Sequence, residues 1–188
     1  MTAAVITQRV LPRSRVTDMI LVAAAAALTA LAAQVRIPLG FTPVPITGQT
    51  FAVLLTGAAL GWRLGVAGQM LYVLVGLLGA PVFSDASGGV EVIWEATGGY
   101  LVGFVFAAGL VGWLAERRHD RAFVGMFVTF LLGSVVIYVF GVIGLMAATG
   151  WGFGEAIAKG VVPFLIGDLI KALLAGVVLP GSWWLLDR

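Results

Sequence analysis

The chain has 188 residues, of which 61% are hydrophobic and 11% are charged, and its net charge is +2. A soluble domain carries about 25% charged and 45–50% apolar residues, so this composition predicts a protein surrounded by lipid. The chain contains no cysteine, which excludes disulfides, thiolate metal sites and cysteine nucleophiles. The small net charge gives no indication of a nucleic-acid partner.

Six apolar segments follow one another along the chain, and we interpret each as a membrane-spanning helix. They cover Val16–Val35, Ile46–Gly61, Leu64–Ala80, Gly98–Ala115, Ala122–Ala148 and Val161–Leu186. A spanning helix needs about 20 apolar residues, with a range near 17–25, so the second and third segments are short and the fifth is long. The prediction is an all-α integral membrane protein with one domain over residues 1–188. It is a six-transmembrane-helix bundle preceded by a cytoplasmic arm, residues 1–15.

The basic residues are distributed unevenly between the loops, which predicts the orientation of the chain. The side that six spans give to both termini holds Arg9, Arg13, Arg15, Arg63, Arg117, Arg118, Arg121 and Arg188. The opposite side holds the bases Arg36 and Lys159 and the acids Asp85, Glu91, Glu95 and Glu155. Because cytoplasmic loops carry the excess of Lys and Arg, both termini are predicted to be cytoplasmic. The N-terminal arm lacks the short apolar region and cleavage site of a signal peptide, so the first helix is predicted to be retained.

The first predicted helix is rich in alanine and carries small residues at four-residue spacing. One ridge contains Ala23 and Ala27, and a second contains Ala26 and Ala30. Small residues at this spacing let two helices approach closely in lipid. Such a ridge serves either another helix of the same chain or another membrane subunit, and both interpretations remain open.

Two segments between the predicted helices are irregular. Arg36–Thr47 contains three prolines, which exclude a regular helix interior, and Pro81–Thr97 is polar and acidic. Irregular backbone at membrane depth is tolerated where protein buries it or where it lines a water-filled cavity. The two segments therefore either cap an outward-facing pocket or form ordinary exposed loops.

The fourth predicted helix opens with Gly98, Gly99 and Tyr100 at its outer end. Free backbone N–H groups at the start of a helix, together with a phenol, can bind a ligand, so Gly98 and Tyr100 are candidate ligand-binding residues. The sequence has no metal-ligand spacing and no nucleotide-binding glycine loop. It therefore predicts no metal and no cofactor, and active transport would draw its energy from a partner or an ion gradient.

The last apolar segment contains an acid and a base, Asp168 and Lys171. A charged residue at the centre of a membrane helix costs roughly 2.5–3.5 kcal/mol on insertion scales, so such residues are retained mainly where they have a use. At i,i+3 spacing the two side chains share one helix face. They either neutralise each other and fix the sixth helix to a neighbour, or they bind a polar ligand with two ends. Ionisable residues inside a membrane favour the second interpretation.

Taken together, these features resemble the BioY family, the biotin-specific substrate-binding (S) components of energy-coupling-factor vitamin transporters. The resemblance covers nearly the whole chain after the N-terminal arm. Besides the alanine-rich first helix, it rests on Ile37–Gly40, Pro43–Thr47, Gln49–Thr50, Gly79–Phe83, Ser87–Gly89, Thr97–Leu101, Gly103–Phe104 and Ile166–Lys171. Its specific elements are the sequences Pro-Val-Pro-Ile-Thr and Gly-Asp-Leu-Ile-Lys, in this order. The segment Pro81–Thr97 is more acidic and aromatic than the family pattern.

The resemblance implies a protein without catalytic activity that binds biotin near the outer face of a prokaryotic cell membrane. It places the family's Asp-x-x-Lys pair on Asp168 and Lys171, and we add Ser87 to the candidate biotin-binding residues. Under this hypothesis Asp168 accepts hydrogen bonds from the ureido N–H groups and Lys171 supplies charge for a polar oxygen. The resemblance also implies that an alanine ridge of the first helix docks a transmembrane coupling protein, which engages ATPase subunits.

Four other interpretations keep the membrane fold but change the function. An S component for another small vitamin would use the same pocket. An integral membrane enzyme would use Asp168 and Lys171 as acid and base, but it would need further polar groups. A scaffold would bind no small molecule, and an ion-coupled carrier often shows an internal repeat that this sequence lacks.

Overall fold

The structure, a computed structural model, describes residues 5–12 and 14–186. Arg13 and Arg188, two of the bases used above to predict orientation, lie outside the described residues, as do residues 1–4 of the predicted arm. The elements in chain order are α1 (Ile6–Val10), α2 (Arg15–Gln34), β1 (Arg36–Ile37), β2 (Ile46–Thr47), α3 (Gln49–Leu60), α4 (Trp62–Leu77), α5 (Gly98–Glu116), α6 (Phe123–Thr149), α7 (Phe153–Gly160) and α8 (Leu165–Leu186).

Among the described residues, four helical stretches are long and apolar enough to cross a membrane: Arg15–Gln34, Gly98–Glu116, Phe123–Thr149 and Phe153–Leu186. Helices α3 and α4 are apolar but have only 12 and 16 residues. Between α3 and α4, Gly61 has a φ of 83°, a backbone conformation that favours glycine, and it allows the chain to reverse without a loop. The chain is therefore a membrane protein built almost entirely from helices.

Helix α5 lies at the centre of the bundle and contacts α3, α4 and α6. Glycines let the backbones of these helices approach closely. A Cβ atom on Gly99 of α5 would lie 2.9 Å from the Cα of Gly144 in α6, and one on Gly57 of α3 would lie 2.8 Å from the carbonyl oxygen of Ala108. In lipid, where no hydrophobic force drives helices together, such close packing supplies the association energy.

The segment between α2 and α3 is a short β-hairpin, which is a departure from the all-α prediction. Arg36 pairs with Thr47 and Ile37 pairs with Ile46 in antiparallel register. The second predicted helix, expected from Ile46, therefore begins only at Gln49. The prolines between the two strands lack N–H donors and fix φ, so this part of the chain turns instead of continuing a helix.

The end of the chain also differs in detail from the predicted single segment from Val161. Helix α7 (Phe153–Gly160) precedes it, and a 3₁₀ turn over Val162–Phe164 separates α7 from α8. Pro163 lies in this turn, where its missing N–H costs no helical hydrogen bond. Helix α8 therefore starts at Leu165, and Asp168 falls in its first turn.

The described part of the N-terminal arm packs against the bundle. Val5 is fully buried, and the hydroxyl of Thr7 donates a 2.9 Å hydrogen bond to the carbonyl oxygen of Ala59 near the end of α3. The arm therefore lies at the end of the bundle where α3 turns into α4. The hairpin, the segment between α4 and α5, and the start of α8 lie at the other end, where they surround a cavity.

Candidate functional site

A cavity of about 270 Å³ lies between the hairpin, the segment that follows α4, and helices α5, α6 and α8. This volume is close to the lower end of the range of roughly 300–1,000 Å³ found for small-molecule sites. Aromatic rings form much of the wall: Phe83, Tyr100, Phe104, Tyr138 and Phe164. The charged residues that line it are Arg36, Asp85, Glu95, Asp168 and Lys171. An apolar wall with a few polar groups is typical of a site for a small amphipathic molecule.

Asp168 is held in the cavity wall by donors from two other helices. Its side chain is 5% exposed. Its Oδ2 atom accepts a 2.5 Å hydrogen bond from the hydroxyl of Tyr138, in the middle of α6. Its Oδ1 atom accepts from Nζ of Lys171 at 3.1 Å and from the hydroxyl of Thr50 at 3.5 Å. The position in the first turn of α8 also favours a carboxylate, because the N-terminal end of a helix carries partial positive charge.

Lys171 connects α8 to the hairpin and to α3. Its Nζ atom donates to the hydroxyl of Thr50 at 2.6 Å, to the carbonyl oxygen of Thr47 at 3.1 Å and to Asp168 at 3.1 Å. An ammonium group has three donors, so all three are used within the protein. The pair therefore forms one network with Thr50 and Tyr138, which balances the desolvation cost of two charges at this depth.

The structure brings four of the five predicted binding residues together. Asp168, Lys171, Tyr100 and Ser87 all line the cavity. The Tyr100 hydroxyl donates a 2.7 Å hydrogen bond to the carbonyl oxygen of Gly160, so its ring, and not its proton, is available to a ligand. The Ser87 hydroxyl donates to the carbonyl oxygen of Ser84 at 2.8 Å.

Gly98, the fifth predicted residue, does not line the cavity. Its backbone N–H, expected to be free for a ligand, donates a 3.1 Å hydrogen bond to the carbonyl oxygen of Glu95. A Cβ atom here would lie 2.0 Å from the carbonyl oxygen of Ile93. The glycine at this position therefore allows the backbone before α5 to pack closely on the start of the helix.

Several cavity residues were not among the predicted ones. Tyr138 is a single phenol within a long apolar helix, and a polar group at that depth is itself a signal of a buried partner. Thr50 belongs to the Gln49–Thr50 motif quoted above, and Arg36 belongs to the irregular segment that was expected to cap or line a pocket. For Thr50 and Arg36, the sequence alone does not indicate which atoms their side chains contact.

The two alanine ridges of α2 differ in exposure. Ala23 and Ala27 are exposed on the outer side of the helix, whereas Ala26 is 9% exposed and Ala30 packs against the core. The inward side of α2 approaches α4, where a Cβ atom on Gly68 would lie 2.7 Å from the Cβ of Ala25. The Ala26/Ala30 ridge is therefore used by the chain itself, and the Ala23/Ala27 ridge is free.

A second buried carboxylate lies at the opposite end of the bundle, in the turn between α5 and α6. Asp120 is fully buried, and its Oδ2 atom accepts a 2.5 Å hydrogen bond from the indole N–H of Trp183. Burial raises the pKa of Asp120, and the Trp183 hydrogen bond and the charges of Arg121 and His119 only partly oppose this rise. The guanidinium of Arg121 also lies over the Trp183 ring, 4.0 Å from its centroid.

Fold and site together define a membrane protein that encloses a small-molecule cavity at one end of a helical bundle. Its family follows from comparison with known proteins. A family model described as the BioY family matches residues 4–188. The biotin transporter BioY of Rhizobium etli is 38% identical over 169 residues, which cover 86% of this chain and 90% of that protein. The biotin transporter BioY of Thermotoga maritima is 39% identical over 152 residues, 81% of this chain and 87% of that protein.

The chain belongs to the BioY family. Its fold is also that of a solved structure, a crystal structure of the S-component for biotin from an ECF-type ABC transporter. The two match with a TM-score of 0.81 at 24% identity, over 92% of this chain and 95% of that chain. The resemblance noted from the motifs is thus confirmed at the level of family and fold.

Proposed function

We propose that this chain is the biotin-binding S component of an energy-coupling-factor transporter and that it has no catalytic activity of its own. The observation that carries the proposal is the position of Asp168, a 5% exposed carboxylate in the wall of a cavity of about 270 Å³. Two relatives at 38% and 39% identity are biotin transporters, which supports biotin over another small vitamin as the ligand.

Biotin suits the chemistry of the cavity. Its ureido ring presents two N–H donors and a carbonyl, its thiolane ring is apolar, and its chain ends in a carboxylate. Asp168 accepts from one ureido N–H group, since an ionised carboxylate has about four acceptor positions and its protein partners fill three. Tyr100, Phe104 and Phe164 pack against the apolar rings. We assign Ser87 to the rim of the cavity. We assign Gly98 a supporting role, in which it lets the backbone before α5 pack closely on the start of that helix.

We also propose that the chain crosses the membrane six times, with both termini in the cytoplasm and the cavity at the outer face. In this arrangement the short helices α3 and α4 form a spanning hairpin beside the four long helical stretches. The excess of arginine in the connections at the α1 end of the bundle supports this orientation. The protein is then a multi-pass protein of the prokaryotic plasma membrane.

For partner docking we propose the Ala23/Ala27 ridge. It is exposed, whereas Ala26 and Ala30 are packed inside the chain. Small exposed residues at i,i+4 allow a helix of another membrane protein to approach closely. The partner is a transmembrane coupling protein, and ATPase subunits bound to it supply the energy for uptake.

Equilibrium binding of labelled biotin to the detergent-purified chain tests the proposed function, with other vitamins as competitors. We expect tight binding that only biotin displaces. Displacement by a different vitamin would assign the cavity to that ligand. An absence of binding by demonstrably folded protein would reject the function and leave Asp168 and Lys171 as a structural ion pair.

A further inference from the structure

Within the described part of the chain, two basic residues line the cavity, Lys171 and Arg36, and they differ in how many N–H donors are already bonded to the protein. Lys171 directs its three donors to Thr47, Thr50 and Asp168, so it reaches a ligand only by giving up a bond inside the protein. Arg36 carries five N–H donors. Its Nη2 atom lies 2.7 Å from Oδ1 of Asp85. The guanidinium therefore has further donors with which to bind an anion.

The hairpin places these two bases at different positions along the cavity. The carbonyl oxygen of Thr47 accepts from Lys171, and Thr47 is the strand partner of Arg36. Lys171 also contacts Thr50 of α3 and Asp168 of its own helix, whereas Arg36 pairs with Asp85 of the segment after α4. Exposure agrees with this division: the side chain of Lys171 is 20% exposed and that of Arg36 is 35% exposed. Arg36 lies nearer the solvent.

The ion pair between Arg36 and Asp85 is exposed, so a ligand carboxylate can take the place of the Asp85 carboxylate. The Asp85 side chain is 67% exposed, and exposed ion pairs contribute little to stability. A ligand carboxylate presents the same two oxygen atoms as the Asp85 side chain. An arginine fork also binds a carboxylate through two parallel N–H···O bonds, which a single contact does not achieve.

We propose that Arg36 binds the carboxylate of the ligand at the mouth of the cavity, in exchange for the carboxylate of Asp85. The ring end of the ligand then lies at Asp168, Tyr138 and Thr50. This assignment rests on the proposed function and gives biotin a direction: ureido ring inward, carboxylate outward. The remaining charged residues in the wall are acidic, Asp85 and Glu95 at exposed positions, so the selectivity for an anionic end depends on Arg36.

The test compares biotin with biotinamide, its neutral carboxamide, in binding to the purified full chain and to Arg36→Gln. The wild type is expected to bind biotin about tenfold more tightly than biotinamide, because a hydrogen bond to a charged group is lost in the amide. Arg36→Gln is expected to bind the two equally, through weaker binding of biotin and unchanged binding of biotinamide. Arg36→Lys, which keeps the charge without the fork, should restore part of the preference.

Asp85→Asn is the matched second variant, since it leaves Arg36 in place and removes its protein partner. It should raise the preference for biotin over biotinamide by up to about fivefold, the range expected for an exposed ion pair. An Arg36→Gln variant that keeps the wild-type preference, or weakens both ligands equally, would overturn the assignment. So would a fall in that preference in Asp85→Asn. A wild type that binds neither ligand rejects the proposed function itself, whereas the other outcomes leave that function intact.

Discussion

The hydroxyl of Tyr138 donates a 2.5 Å hydrogen bond to Oδ2 of Asp168, and this contact joins the middle of α6 to the first turn of α8. It determines which way the carboxylate faces, because Lys171 and Thr50 hold the other oxygen. The geometry that the proposed ligand meets is therefore set by three elements and not by α8 alone.

Tyr138→Phe removes this hydroxyl and keeps the ring. We expect biotin affinity to fall by about tenfold, since a buried carboxylate oxygen loses its partner at a cost of about 1–3 kcal/mol. Isothermal titration of the purified variant measures the change. Tyr72→Phe is the matched control: Tyr72 is buried and bonded to Gln49, but it does not line the cavity. It should lower thermal stability and change biotin affinity by less than about threefold. Equal losses of affinity in both variants would contradict the positioning role of Tyr138.

Substitutions in the Asp168–Lys171 pair should affect folding stability and biotin binding differently. Lys171→Met leaves a buried carboxylate without its cation, which is expected to cost about 3–5 kcal/mol of stability. The double variant Asp168→Asn with Lys171→Met removes both charges, so it should recover most of that loss, because it leaves no uncompensated charge inside the bundle.

Neither variant should bind biotin. Melting curves in detergent and a binding assay measure the two properties separately. A double variant that is stable and still binds tightly would show that the pair serves packing alone.

The exposed alanine ridge of α2 allows docking to be separated from folding. Ala27→Trp adds a large side chain on the outer side of the helix, so biotin binding and melting temperature should stay within experimental error. Uptake and co-purification with a coupling protein should be lost, because close approach of a second helix requires small residues.

Two variants control this experiment. Ala26→Trp places the same side chain in a 9% exposed position and should destabilise the fold by about 1–3 kcal/mol or more. Val139→Trp, on an exposed side of α6, should leave both uptake and stability unchanged. Normal uptake by Ala27→Trp would place the docking surface elsewhere.

The raised pKa of Asp120, at the opposite end of the bundle from the cavity, predicts that the stability of the protein depends on pH. Burial raises the pKa of this carboxyl above its ordinary value of 3.8. Between the unfolded and folded pKa values the native state binds more protons than the unfolded state, so the contribution of Asp120 to stability falls as pH rises. Asp120→Asn cannot ionise, and its amide oxygen still accepts from Trp183.

The wild type should therefore gain stability relative to Asp120→Asn as the pH is lowered from neutral toward 4. Melting temperatures of both proteins in detergent across this range give the difference directly. A difference that does not change with pH would mean that Asp120 keeps the same protonation state in the folded and unfolded chain.

The residues that sequence analysis identified well are those whose signal is local. Asp168 and Lys171 stand out because two charges interrupt an apolar run and their spacing places them on one helix face. Tyr138 did not stand out, since a phenol in an apolar helix is also compatible with plain packing. Gly98 was assigned to the site because a helix start offers free N–H groups. In the structure, however, the backbone N–H of Gly98 donates to the carbonyl oxygen of Glu95 in the preceding turn.

Composition and the lengths of the apolar runs are sufficient to predict a membrane-embedded helical chain, and the motifs are sufficient to predict its family. These predictions depend only on residues that are close in the sequence, since helix formation and lipid solubility are properties of a local stretch. The contact between Tyr138 and Asp168, thirty positions apart, the pairing of Arg36 with Thr47, and the outward position of the Ala23/Ala27 ridge required the three-dimensional arrangement. Helices that are apolar on every side do not encode which side meets which neighbour, and close packing of distant segments determines it.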